Sequence, residues 1–365
     1  METMKVLALD IGAGTEDVLL YDERKKRIEN CIKMVLPSPS QVFAKKVRAA
    51  TQMHRNLFVK GDIIGGGPFT EALREHIEKG YRVFMTKAAA YTVRNDLDQV
   101  KELGIKIVEN ATLKSFKGQT LVTEEVNIRK LQCALAFFDE SFTDTDFVAI
   151  AVQDHGVPPK GESNRRFRIE KTRQLLERNP KPETFAFLGD DIPPHYLRMR
   201  SAAYASKRQL PNAEVVVMDT SQDAIVGCLR DPVVERANPI LAVNVGNNHT
   251  MAAIISNGEI TAIMEHHTRL LSPKKLEHLL IKFADGKLSD DEVFMDNGHG
   301  VIFLTEPPGF SKMERTVVAG PNRNILASAN LPVHFATPAG DVMMTGPVGL
   351  VEVTKRILAK RRMLP

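Results

Sequence analysis

The chain has 365 residues, a length that suits two domains of ordinary size better than one core. With 43% hydrophobic and 26% charged residues it is no long disordered chain, and a formal net charge of +4 argues against a dedicated nucleic-acid binder. Three cysteines, Cys31, Cys133 and Cys228, stand far apart with no CxxC pair, which excludes a disulfide framework, a cysteine zinc site and a cysteine-held iron–sulfur cluster. The opening apolar run is too short for a signal peptide and no later stretch could span a bilayer, so a cytoplasmic protein without a membrane partner is expected.

In chain order, Val6–Leu9 predicts a strand, Asp10–Asp17 a glycine turn and Val18–Tyr21 a second strand; the charged turn Asp22–Arg27 leads to a third strand over Ile28–Leu36. That is an antiparallel meander. The rhythm then changes. Strand Leu57–Ile64, loop Gly65–Pro68, helix Phe69–Lys79, strand Tyr81–Thr86, helix Asn95–Leu103 and strand Ile105–Val108 alternate, which predicts crossover units and a largely parallel sheet. Phe147–Val152 is an apolar strand, followed by a polar loop through Asn164 and a basic helix near Ile169–Arg178. Strands are expected at Phe185–Leu188 and Glu214–Met218, then a short helix over Ala224–Leu229. After Pro239 the opening pattern returns: strand Ile240–Val245, turn Gly246–Thr250, strand Met251–Ser256, the hairpin signal Asn257-Gly258 and strand Glu259–Met264. The same strand–turn–strand–hairpin unit thus occurs near 5–36 and 240–268, a duplication of geometry more than of identity. Basic clusters at Arg24–Arg27, at Arg165, Arg166 and Arg168, and at Lys360–Arg362 are expected to be solvated faces.

The duplicated turn has a chemistry. Gly12 and Gly14 let the backbone approach a ligand closely, so successive N–H groups can converge on an anion. Thr15 adds a hydroxyl donor, and Asp10 at the strand end is placed to hold a hydrated Mg²⁺. Two such turns facing across a cleft would clamp a nucleoside triphosphate; the plainer alternative is a β-hairpin with a glycine bulge. Gly65–Pro68, ahead of a helix with proline in its first turn, is either a tight connection or an anion site. There is no GxxxxGK[ST] and no GxSxG, which disfavours a Walker-type ATPase and a serine hydrolase.

Asp10–Asp17 resembles the first phosphate motif of the actin-like ATPase superfamily, which includes sugar kinases and heat-shock chaperones. In the family's order, Asp219–Gly227 resembles the first connecting helix and Leu241–Thr250 the second phosphate motif. Thr316–Arg323 resembles the adenosine motif, and Asp341–Gly349 the closing connecting helix. The overall pattern also resembles a family labelled "putative pyruvate formate-lyase activating enzyme". The resemblance implies an α/β fold of two ribonuclease-H-like lobes around a nucleotide cleft. The first lobe would span residues 1–220 and recover the C-terminal helix at 341–365; the second would span 221–340. ATP and Mg²⁺ are the implied cofactors, with no iron–sulfur cluster, since radical activases need three close cysteines. Asp10 would hold the metal; Gly12, Gly14 and Thr15 would bind phosphate; Asn244, Gly246, Asn247 and Thr250 would form the facing clamp, and Gly320 would pass the nucleoside. Asn244 departs from the aspartate usual there, and an amide cannot act as a base. Asn247, Asn248 and His249 also replace small residues, so Asp10, Asn244 and His249 are the catalytic candidates.

Several of the ten histidines sit in short polar or glycine-containing contexts: His155, His249, His266, His267 and His299. None has the spacing of a known metal motif; His155, His249 and either His266 or His267 are expected to approach one cleft. Three functions stay open: an Mg²⁺-dependent protein that hydrolyses ATP or transfers its γ-phosphate, a non-catalytic nucleotide-dependent switch acting on a client protein, and a histidine-based enzyme on the same fold with another substrate.

Overall fold

The computed structural model describes residues 3–109 and 116–363, the side chains of Arg362 and Met363 excepted. The opening meander is β1 (Lys5–Ile11), β2 (Thr15–Asp22) and β3 (Ile32–Pro37); residues 28–30, expected to begin the third strand, form a short helical turn instead. The alternating segment gives β4 (Leu57–Gly61), β5 (Val83–Thr86), β6 (Ile105–Val108) and β7 (Gln119–Thr123). These four are parallel and form their own sheet, ordered β6-β5-β4-β7, around a separate core that includes Phe69, Leu57 and Met85. The chain then returns to the first sheet with β8 (Phe147–Val152), β9 (Phe187–Leu188) and β10 (Glu214–Met218).

The second half supplies β11 (Ile240–Val245), β12 (His249–Ser256), β13 (Glu259–His267), β14 (Gly300–Phe303), β15 (Arg315–Ala319) and β16 (Val333–Phe335). The two large sheets run β3-β2-β1-β8-β10-β9 and β14-β13-β12-β11-β15-β16. Each holds an antiparallel three-strand meander followed by two parallel strands, β8 and β10 beside β1, and β15 and β16 beside β11. That shared order is the ribonuclease-H-like lobe, present twice, as expected for an actin-like ATPase fold.

The central strands are buried on both faces, which is why KVLALDI reads as an almost unbroken apolar run. Val6 and Ala8 face a core shared by both sheets, while Leu7, Leu9 and Ile11 face an outer core with the helix Leu197–Gln209. Helices Thr220–Cys228 and Thr345–Met363 cross between the sheets. The first packs on β11 and β12, the second on β1, β2 and β8. Helix Asn164–Arg178 packs on β14, so this piece of the expected first lobe lies against the second sheet.

The crossing depends on glycine. A Cβ on Gly227 would lie 1.8 Å from the Thr345 carbonyl oxygen, and one on Gly349 would lie 1.9 Å from that of Asp223. The nearest atoms at both positions are backbone, which cannot yield as the end of a side chain can. Gly349→Ala is therefore expected to cost about 1–3 kcal/mol, the usual range for overpacking. Urea denaturation would measure it, and an unchanged midpoint would mean that the helices part without cost.

Candidate functional site

Both glycine turns are closed by the same bond. The Gly12 N–H donates to the Thr15 carbonyl at 2.9 Å, and the Gly246 N–H donates to the His249 carbonyl at 2.9 Å. Asp10 and Asn244 are therefore equivalent positions, as are Thr15 and His249. The turns face each other across a cleft of about 420 Å³ lined by Asp10, Gly12, Thr15, Asn244, Gly246 and Gly320 among others. They nearly touch: a Cβ on Gly14 would lie 2.6 Å from the Asn247 side-chain nitrogen. Gly320 has φ +94°, and its missing Cβ leaves room for the Val245 carbonyl and the Asn244 side chain. Thr250, expected in the clamp, is fully buried behind the turn, with its hydroxyl paired to that of Thr268 at 3.0 Å. Strand alternation puts it on the opposite face from His249.

Acidic groups crowd the first turn. Oδ1 of Asp10, Oδ1 of Asp17 and both carboxylate oxygens of Asp223 are buried without a hydrogen-bond partner. Burial, then the neighbouring Asp17 and Asp219, holds the Asp10 carboxyl well above its usual range. Burial, then Asp10, does the same to Asp223. Asp17 is pushed up to about 7 by burial, and Glu16 to about 8 by burial, Glu125 and Asp17. Folded carboxyls with raised pKa values stabilise fully below the unfolded value, near 4, and that contribution is lost as pH rises through about 7 and 8. The cleft histidines have the opposite sign, acting only as pH falls below about 6.5. Between pH 6.5 and 8.5 the thermal midpoint in chelator is therefore expected to fall. A flat or rising midpoint over that window would contradict the acidic cluster.

On the other side of the cleft stands a group of histidines. His155 follows β8, His249 opens β12, His267 ends β13 and His299 precedes β14. His155 Nε2 lies 3.1 Å from His299 Nε2, and the rings of His249, His267 and His299 have centres 4.8–4.9 Å apart. Of the two adjacent candidates it is His267 that lines the cleft; His266 points away and pairs with Asp296 at 2.9 Å. The register could have decided this, because His249 pairs directly with His267 and Thr250 with His266. Burial pushes all four rings toward the neutral form: His249 to about 4, and His155, His267 and His299 below their usual value.

Beneath them lies Arg168, which corrects the solvated reading of its basic cluster. Its side chain is 5% exposed. Its guanidinium donates to both oxygens of Asp219 at 2.8 and 3.0 Å and to both oxygens of Glu265 at 3.0 and 2.8 Å. Asp219 also accepts from the Ser221 N–H, capping the helix Thr220–Cys228. Asp154 fixes the loop that carries His155, accepting from the N–H groups of Gly156, Arg198 and Met199. Arg198, which sequence reasoning missed, lines the cleft and is held by buried Glu125. The Gly65–Gly67 loop also lines it, with the Gly65 N–H on Glu125 at 3.1 Å.

Two lobes with this strand order, facing turns and crossing helices define a protein of the actin-like ATPase fold. The chain belongs to the family described as "Putative pyruvate format-lyase activating enzyme (DUF1786)", which it matches over residues 64–325. Among solved structures it is similar to a putative N-acetylmannosamine kinase from Listeria monocytogenes, with 10% identity, 97% of this chain and 100% of that one covered, and a TM-score of 0.36. It is similar to the ROK hexokinase from Thermus thermophilus at 11% identity, with 97% and 100% covered and a TM-score of 0.34. The PilM–PilN type IV pilus biogenesis complex matches at 12% identity, with 95% and 97% covered and a TM-score of 0.38. No curated protein matches the chain. No helix among the described residues is long and apolar enough to cross a membrane.

Proposed function

We propose that the cleft binds a nucleoside triphosphate with Mg²⁺ and releases or transfers the terminal phosphate. The observation that carries this reading is the set of unpartnered oxygens on Asp10, Asp17 and Asp223 beside the first glycine turn. Buried carboxylates without hydrogen bonds are costly unless a cation meets them, so the donor set fits a hard cation with oxygen ligands. Asp10 and Asp17 line the cleft and would hold Mg²⁺, directly or through water. The ion would neutralise phosphate charge. The N–H groups of Ala13 and Gly14 and the Thr15 hydroxyl would orient phosphate oxygens, with Asn247 opposite, since the Gly12 and Gly246 N–H groups close their own turns. Gly320, in the cleft wall, would lie beside the nucleoside. Because Asn247 nearly touches Gly14, phosphate entry requires its side chain to swing or the lobes to part.

Thermal-shift measurements with ATP or ADP, with and without Mg²⁺, test the reading. Stabilisation by ATP is expected only with Mg²⁺, and Mg²⁺ alone should restore more of the midpoint at pH 8.5 than at 6.5. No response to any nucleotide would end the proposal. Asn244, neutral where the first turn has Asp10, favours a second reading, in which nucleotide binding closes the lobes as a signal to a client protein. Binding without phosphate release would select it. The family's description names an activating enzyme, but the cysteines are unpaired and belong to no metal-holding group among the described residues, so radical chemistry gains no support.

A further inference from the structure

We propose that His155, His249 and His299 form a three-histidine site for a divalent cation of the zinc class, assembled across the two lobes. One ring nitrogen from each residue falls in a group whose members all lie within 4.8 Å of one another. Tetrahedral zinc with Zn–N bonds of about 2.0–2.1 Å needs nitrogens about 3.4 Å apart, so small ring rotations close the set. His155 and His299 already stand 3.1 Å apart through their Nε2 atoms. His249 Nε2 is buried and has no partner, while its Nδ1 meets the Gln153 amide nitrogen, Nε2, at 2.6 Å, an amide whose oxygen and nitrogen exchange places by a half-turn. With the amide oxygen turned to the ring, Gln153 accepts the Nδ1 proton and leaves the Nε2 lone pair for the metal, the usual second-shell device.

The surroundings suit a cation. The one guanidinium beneath the histidines, Arg168, is paired with two carboxylates, Asp219 and Glu265, which offset its charge toward a bound cation. Burial keeps the imidazoles neutral, and neutral imidazole is the ligating form. Nitrogen ligands without a carboxylate favour zinc-class ions over Mg²⁺. His155, His249 and His299 all line the cleft, which leaves a fourth position for water or an anionic oxygen of a substrate. His267 stands beside the set, placed to hydrogen-bond that occupant. The site shares no ligand with the acidic cluster and does not depend on nucleotide binding.

The test uses the full-length protein stripped of metal. Titration calorimetry with Zn²⁺ should give one equivalent per chain, and Co²⁺ in its place should show the intense visible bands of a four-coordinate, nitrogen-rich site. His155→Ala and His299→Ala should each weaken binding at least about 100-fold, and Gln153→Ala about tenfold. Asp10→Asn should leave the Zn²⁺ stoichiometry intact, which separates this site from the acidic one. Circular dichroism checks that each variant is folded. Absence of stoichiometric Zn²⁺ binding by the unaltered chain, a weak six-coordinate Co²⁺ spectrum, or loss of binding in Asp10→Asn would each overturn the proposal. So would undiminished binding by folded histidine variants.

Discussion

Arg168→Met should lower the unfolding free energy by about 3–5 kcal/mol, the cost of removing one partner from a buried ion pair. Methionine approximates the length of the lost side chain, so the effect would be electrostatic rather than a cavity. The guanidinium satisfies Asp219 and Glu265 together, and its loss strands two carboxylates that are 4% and 1% exposed. A domain's whole stability is typically about 5–15 kcal/mol, so the loss would be a large share of it. The charge account makes a second demand: the triple variant Arg168→Met, Asp219→Asn, Glu265→Gln should recover much of the loss. Urea denaturation of both proteins decides. A loss under about 1 kcal/mol in the single variant, or no recovery in the triple, would contradict it.

Asp10→Ala is expected to act in opposite directions on activity and stability. Under the proposed function it removes the carboxylate best placed for Mg²⁺, and phosphate release should fall about 10²–10³-fold. It also removes one of several mutually repelling buried acids, so the nucleotide-free protein at pH 8 should melt at a higher temperature. Phosphate-release assays and thermal melts at the same pH check the two halves. Unchanged release with a raised midpoint would leave Asp10 a strained structural residue and remove it from the chemistry. The contact between Asp10 and the start of helix Thr345–Met363 is tight, since a Cβ on Gly346 would meet its carboxylate at 2.1 Å. Space is freed there, and no group is left unsatisfied.

What the sequence made legible was local. The strands Phe147–Val152 and Glu214–Met218 occur at those bounds, because short apolar β-branched runs between polar loops have few other fates. Both glycine turns and the Asn257-Gly258 hairpin follow from residues within a few positions of one another. The rest was set at distance. Arg168 is partnered by residues 51 and 97 positions away, which nothing in a run of arginines can announce. β7, QTLVT, is too polar to stand out as a strand, and only its pairing with β4 makes it one. The alternating segment was legible as crossover units, but not that they would close into a separate sheet. His299 joined the cluster through a backbone bond to Glu265, a contact that no spacing of histidines encodes.

The glycine crossing of the two central helices bears on how the lobes move. At Gly227 and Gly349 the two backbones meet without any side chain as a spacer. Sliding one helix along the other would drive these contacts into Val226, Cys228, Val348 or Leu350, all 5% exposed or less. Turning about the contact displaces none of them. These contacts disfavour shear, so any relative motion of the sheets would be a hinge with its pivot at the two glycines. Small rotations there would be magnified at the distant rims of the cleft, while the atoms at the pivot stay nearly still.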